Sequence, residues 1–138
     1  MSLVLVGISH KTAPIKVRER FSFTKEKLKE TLIKLKKADF IDGIIILSTC
    51  NRMEIYADIM DTDLATKQLS RFLCDTFLVR EDKIRRYFYN LSGLDAVSHI
   101  FKVAGGLDSQ ILGETQILGQ VKSAREIATE MGITCGLL

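Results

Sequence analysis

Hydrophobic positions along this chain change their period several times, and each change marks an element. Residues 3–8 (LVLVGI) are a short apolar run, the pattern of a buried strand, and they end at the polar turn residues 9–14 (SHKTAP). Pro14 holds Ala13 extended, so this segment leaves the sheet edge as an ordered loop. Residues 17–21 predict a short helical turn with Arg18 and Arg20 exposed. Thr24 is placed to cap a helix running to about residue 38, with Leu28, Leu32 and Leu35 on its inner face.

A β-branched and aliphatic run at 44–47 (IIIL) predicts a strand buried on both faces. Five polar residues follow, Ser48 to Arg52, and residues 53–60 then alternate as a half-buried strand that pairs antiparallel with the first through a tight turn. Asp61, Thr62 and Asp63 offer caps for a helix carrying Ala65, Leu69, Phe72, Leu73 and Phe77, with Cys74 beside that core stripe. The aromatic run 84–91 (IRRYFYNL) predicts a fourth strand at a sheet edge. Two helices close the chain. The first, 92–105, has Leu94, Val97, Ile100, Phe101 and Ala104 as its core face, and His99 off that stripe one turn after Asp95. After Gly105-Gly106 and a bend, the second spans 114–131 with Ile117, Leu118, Val121, Ala124, Ile127 and Ala128 inward. The expected fold class is α+β: a ferredoxin-like βαββαβ antiparallel sheet with additional C-terminal helices.

With 138 residues and 46% hydrophobic content, the chain has the material for one domain with its own core. No run reaches membrane-spanning length and the N-terminus lacks a signal-peptide layout, so a cytoplasmic protein is expected. Cys50, Cys74 and Cys135 are odd in number and widely spaced, which argues against a disulfide framework and against a structural zinc site. A net charge of +3 is too small to mark a nucleic-acid binder, and the lysines of the 25–37 helix form a solvated face with no aromatic platform.

Candidate chemistry centres on Cys50. A free cysteine is usually a small core hydrophobe, yet this one sits in a polar turn between Thr49 and Asn51 with Arg52 two residues on. A guanidinium close to the thiol would favour thiolate. A thiol, a cation, the His99 imidazole and glycine-spaced polar groups suit nucleophilic capture of an acyl group. Gln116 and Gln120 lie one turn apart, and Gly119 between them permits close approach of a ligand.

Three segments, GISHKTAPIKVRE from Gly7, LSTCNRMEIY from Leu47 and GLDSQILGETQILGQVK from Gly106, closely resemble the catalytic domain of the glutamyl-tRNA reductase family. The resemblance covers nearly the whole chain. It departs from the family pattern at Ser9 (usually Asn), Met53 (usually Thr) and Thr115 (commonly Pro). The resemblance implies that residues 1–138 are an N-terminal catalytic, glutamyl-tRNA-binding domain. NADPH-binding and dimerisation domains are then expected after residue 138. It further implies that Cys50 attacks the glutamyl ester to form a thioester, which hydride from NADPH reduces to glutamate-1-semialdehyde for tetrapyrrole synthesis. His99 matches a position tied to activity, through alignment of the tRNA end or proton transfer to the leaving hydroxyl. Thr49, Asn51, Arg52, Ser109, Glu114, Thr115, Gln116 and Gln120 match substrate-pocket positions, with Arg52 the choice for the glutamate side-chain carboxylate. A homodimer and contact with the downstream semialdehyde aminotransferase are implied for the full enzyme. The alternative from another functional class is a ferredoxin-like RNA-binding module, which would need base-stacking aromatics on its central strands; residues 44–47 supply none.

Overall fold

The computed structural model describes residues 2–134 and 136, so Cys135 lies outside the described residues. Strand β1 (Ser2–Ser9) leads through helices α1 (Ile15–Arg20) and α2 (Lys25–Lys36) to the hairpin β2 (Ile41–Ser48) and β3 (Arg52–Ile59). Helix α3 (Thr62–Thr76), the short α4 (Glu81–Ile84) and a 3-10 turn at Arg85–Tyr87 then precede β4 (Tyr89–Ser92), α5 (Gly93–Ala104) and α6 (Gln116–Glu130). The sheet order is β2-β3-β1-β4 with every neighbour antiparallel, the arrangement expected of a split βαβ unit. The two predicted helix starts hold: Thr24 accepts the Lys27 amide at 3.2 Å and Asp61 accepts that of Leu64 at 3.3 Å.

Helices cover both faces of the sheet. Helices α2 and α3 lie against β2 and β1, and α5 and α6 lie against β1 and β2. Period-two alternation sends Ile55, Ala57 and Ile59 to one side of β3 and Glu54, Tyr56 and Asp58 to the other. Because both sides are covered, all eight residues of β3 are buried, and the half-buried strand expected at 53–60 is corrected. The face that an RNA-binding module of this topology would expose lies under α5 and α6.

Two other expectations change. The predicted strand 84–91 shrinks to four residues, because Glu81 and Asp82 favour a helix start and Ile84 turns into the core. Phe88 follows the 3-10 turn and packs edge-on against Phe21, ring centres 5.5 Å apart. Helix α5 is rolled relative to its predicted face. Ala96 and Val103 are buried, whereas Leu94 is 85% and Phe101 72% exposed. At 100° per residue, Ala96, His99, Ile100 and Val103 share one face, so the roll that exposes Leu94 and Phe101 carries His99 inward. On α6, Leu118 likewise turns outward while Ile117, Ala124 and Ala128 are buried. Cys74 is buried, as its position beside the α3 stripe predicted.

Candidate active site

The β2–β3 connection is as tight as a hairpin can be. The Thr49 amide donates to the Arg52 carbonyl at 2.8 Å, which leaves Cys50 and Asn51 as the two turn residues. The Thr49 hydroxyl accepts the amides of Asn51 and Arg52, both at 3.2 Å, and the Asn51 carbonyl accepts the His10 amide at 2.8 Å. The turn is therefore held from within by Thr49 and from the side by the end of β1, and Cys50 projects from it exposed.

The opposite wall comes from the loop between α5 and α6. Gly106 adopts φ +73°, and a Cβ there would lie 2.6 Å from the Glu114 carbonyl oxygen, so the loop closes only on glycine. Gly113 donates to the Gly106 carbonyl at 3.0 Å and completes the closure. This brings Ser109 and Glu114 to the cysteine turn, with the Ser109 hydroxyl donating to Glu114 Oε1 at 3.3 Å. One pocket is lined by Thr49, Cys50, Asn51 and Arg52 on one side, and by Ser109, Glu114, Gln116, Ile117 and Gln120 on the other. The first turn of α6, whose amides have no intrahelical acceptor, lines the same pocket as Cys50 through Gln116 and Ile117. The pocket's free space is about 60 Å³, room for roughly two waters. Thr115 is exposed at the N-cap position of α6 and does not line it.

Arg52 is the floor of the pocket and its guanidinium is already engaged. Nη1 donates to Glu54 Oε1 at 3.0 Å, and Nη2 reaches the Asp108 carbonyl at 2.6 Å and the Asp108 carboxylate at 2.9 Å. The side chain is only 2% exposed, so the cation that sequence placed beside the thiol is a buried charge shared by two carboxylates. Asp108 is in turn paired with Lys11. Although burial opposes it, those bonds from Lys11 and Arg52 hold the Asp108 carboxyl below its usual range.

Sequence reasoning missed Glu54. It is wholly buried in β3, yet four side chains hydrogen-bond to its carboxylate. Oε1 meets Arg52, the Tyr89 hydroxyl and His99 Nε2 at 2.7 Å, and Oε2 accepts from the Tyr56 hydroxyl at 2.6 Å. Burial alone would raise this carboxyl; the His99 hydrogen bond and the charge of Arg52 outweigh it, and the group lies below its usual range. Burial and the Glu54 charge push the Tyr56 and Tyr89 phenols upward, which keeps both as donors. Space for the carboxylate comes from Gly7 on the neighbouring strand, where a Cβ would lie 2.8 Å from Glu54 Cγ. The sequence signal was a carboxylate in a strand facing a glycine, legible only once the β1–β3 register pairs them. His99 thus bonds Glu54 across the sheet, not Asp95 one turn away, and connects to the Cys50 pocket through Glu54 and Arg52. No group of metal-ligating side chains occurs among the described residues. No helix among them is long and apolar enough to cross a membrane.

The two described cysteines differ sharply. Cys74 is buried, and desolvation with the nearby Glu81 and Asp75 charges pushes its thiol up to about 11. Iodoacetamide at neutral pH should therefore alkylate Cys50 well before Cys74, read by peptide mass mapping of the native protein. Equal rates at the two sites would contradict an accessible, reactive Cys50.

Comparison with known proteins gives a consistent result. A family model described as "Glutamyl-tRNAGlu reductase, N-terminal domain" matches residues 6–138. Over 124 residues the chain is 49% identical to the glutamyl-tRNA reductase of Carboxydothermus hydrogenoformans, covering 90% of this chain and 28% of that protein. The enzyme of the same name from Picosynechococcus sp. is 40% identical over 130 residues, covering 94% and 31%. The solved structure of glutamyl-tRNA reductase from Methanopyrus kandleri superposes with a TM-score of 0.73 at 30% identity, over 97% of this chain and 30% of that one. The chain spans about three-tenths of the length of these relatives.

Proposed function

The chain belongs to the glutamyl-tRNA reductase N-terminal domain family, and from that premise we propose that it performs the acyl-capture half of the reductase reaction. The observation that carries this reading is a solvent-accessible thiol on a rigid turn, facing hydroxyl, carboxylate and amide groups across one small pocket. The Cys50 sulfur attacks the ester carbonyl of glutamyl-tRNA. A C–S bond forms, the carbonyl electron pair moves onto oxygen, and collapse breaks the bond to the ribose oxygen. That oxygen ends with the proton that the thiol lost, so the products are a glutamyl thioester on Cys50 and free tRNA. The first-turn amides of α6, with the Gln116 and Gln120 side chains, are the donors facing the carbonyl as negative charge develops.

The side-chain carboxylate of the substrate requires a cation. Arg52 is the one on the pocket floor, and Asp108 now occupies it. Because the Asp108 carboxylate holds the guanidinium, binding exchanges the substrate carboxylate for that of Asp108. His99, joined to Arg52 through Glu54, is assigned a positioning role. All strands run antiparallel, and no parallel strand–glycine turn–helix unit is present among the described residues to cradle a nicotinamide dinucleotide. These residues do not fit NADPH, and the chemistry derived from them stops at the thioester. For the longer reductases, the reading places NADPH binding, dimerisation and contact with the downstream aminotransferase outside these residues.

The test is intact-mass detection of a glutamyl adduct on Cys50 after mixing with glutamyl-tRNA. No adduct on a folded protein would sink the proposal. Carboxylate selection has its own measurement. Arg52→Lys replaces a fork that bridges two carboxylates by a point charge. The preference for glutamyl- over glutaminyl-tRNA should then narrow by about tenfold, roughly 1.4 kcal/mol. An equal fall for both donors would mean Arg52 acts only on the fold or the thiol.

A further inference from the structure

A second and larger cleft, of about 450 Å³, opens between α2 and α6 along the outer edge of β2. Its volume lies in the usual range for a small-molecule site. It adjoins the cysteine pocket, since Gln116 and Gln120 line both. We propose that this cleft is the subsite for the 3′-terminal adenosine of an aminoacyl-tRNA, the nucleoside that carries the ester and leaves when Cys50 is acylated. The inference rests on the acyl-capture reading above and adds to it the place of the leaving group.

The edge of β2 supplies the recognition chemistry. In an antiparallel pair, alternate residues direct their N–H and C=O toward the partner strand. The Thr49–Arg52 bond sets that phase, so the odd-numbered residues of β2 face β3 and the even-numbered ones face outward. Ile44 obeys it: its amide turns away from β3 and donates to the Ile133 carbonyl at 2.9 Å. Ile46, buried but lining the cleft, therefore directs its N–H and C=O away from β3, on the side of the strand where the cleft lies. Adenine carries the complementary pair on one edge, the N1 acceptor and the N6 donor, and proteins read unstacked bases by such edges.

The free edge is too short for an added peptide strand. Ile133 occupies it at Ile44, and at the other end the Phe23 amide donates to the Ser48 hydroxyl at 3.4 Å. Among the described residues, one residue's pair of groups is what remains, which matches a base. Phe23 and Leu28 wall the cleft on one side and Ile127 on the other, apolar surfaces for the faces of a ring. Lys25 stands at the cleft beside the exposed lysines of α2, where the phosphate on the 5′ side of the nucleoside would lie. Gly119 lines the cleft, and a Cβ added there meets no heavy atom within 4 Å. A side chain at 119 would fill the nucleoside's place without disturbing the protein.

The test compares two donors on the chain and its Gly119→Leu variant: 3′-O-glutamyl-adenosine, and a glutamyl α-thioester of a small alkyl thiol with no nucleoside. Adduct formation on Cys50 is followed by intact mass. Gly119→Leu should lower the nucleoside donor's rate relative to the thioester's by about a hundredfold, the worth of two lost hydrogen bonds and a stacking contact. In the unsubstituted chain, glutamyl-inosine should react about fivefold or more slowly than glutamyl-adenosine, since its O6 cannot donate to Ile46. An unchanged donor ratio in Gly119→Leu, or equal rates for adenosine and inosine, overturns the subsite; the inosine arm needs no variant to fold. Binding of the trinucleotides CCA and CCI to Cys50→Ala separates this from the acyl-capture reading. Preference for CCA with no adduct from any donor keeps the subsite and rejects acyl capture. Adduct formation without that preference does the reverse. Displacement by an extended peptide, with no penalty for inosine, would mark a strand-docking edge and overturn the proposal.

Discussion

Cys50→Ser is expected to abolish capture of the glutamyl group, with a loss of about 10³-fold or more, roughly 4 kcal/mol on the barrier. A thiol is a few per cent thiolate near neutral pH and intrinsically a strong nucleophile, whereas a serine hydroxyl needs an adjacent base. Among the described residues the turn itself offers none, and the carboxylate across the pocket, Glu114, is hydrogen-bonded by the Ser109 hydroxyl. The Thr49 hydroxyl is spent on backbone amides, and His99 is bonded to Glu54 beneath the pocket. The fold should survive the substitution, because residue 50 is exposed and its turn is held by Thr49 and Arg52. The measurement is a time course of adduct and released glutamate with glutamyl-tRNA, for the unsubstituted chain, Cys50→Ser and Cys74→Ser. Undiminished glutamate release from Cys50→Ser would remove Cys50 as the nucleophile. A comparable loss in Cys74→Ser would point to a general effect on the fold.

The largest stability effect is expected at Glu54. Glu54→Gln is close in shape but leaves the buried Arg52 guanidinium and three other donors around a neutral amide. Removing one partner of a buried ion pair costs about 3–5 kcal/mol, and because Arg52 keeps Asp108 the lower end is expected. Urea unfolding at pH 7 checks it, and a loss below about 1 kcal/mol would mean the network is relaxed at little cost. The pH dependence follows from the same bonds. Glu54 and Asp108 hold their protons less readily when folded than their ordinary values of 4.5 and 3.8. The unfolded chain therefore binds more protons as the medium is acidified. The stabilisation is complete above those values and drains away as pH falls through and below them. Glu54→Gln should show a shallower acid-side decline than the unsubstituted chain. Parallel curves would place the acid sensitivity elsewhere.

The Glu54 hub also changes how His99 is understood. A histidine in contact with the reacting atoms and one that orients Arg52 through a shared carboxylate predict different kinetics. With the second, His99→Asn should act chiefly through the binding of the glutamyl side chain, because what it loosens is the pocket floor.

What the linear chain determined by itself was local. Thr24 and Asp61 cap their helices because a side-chain oxygen and an orphan amide three residues apart need nothing else. The run at 44–47 is a strand, and the polar residues after it form a turn that displays Cys50, because composition there admits little else. The segments around Cys50 and Gly106 carried the family likeness, and the residues they supply to the pocket are near neighbours in sequence. Only the tertiary structure decided what crosses the sheet. Leu94 and Phe101 looked like core because hydrophobicity alone cannot set the roll of a helix lying over a sheet. That roll was set by packing through Ala96 and Val103, and it turned His99 inward. Glu54 looked like the solvent side of a half-buried strand, since alternation tells which residues share a face and not whether a second layer covers it. Once α5 and α6 cover that face, a carboxylate there must be bonded on every side, and His99 and Tyr89 converge on it from α5 and β4 while Arg52 and Tyr56 reach it from β3 itself. Arg52 for the same reason is no free cation beside a thiol: burial without water obliges a guanidinium to find carboxylates, and Glu54 and Asp108 were the ones the fold brought within reach.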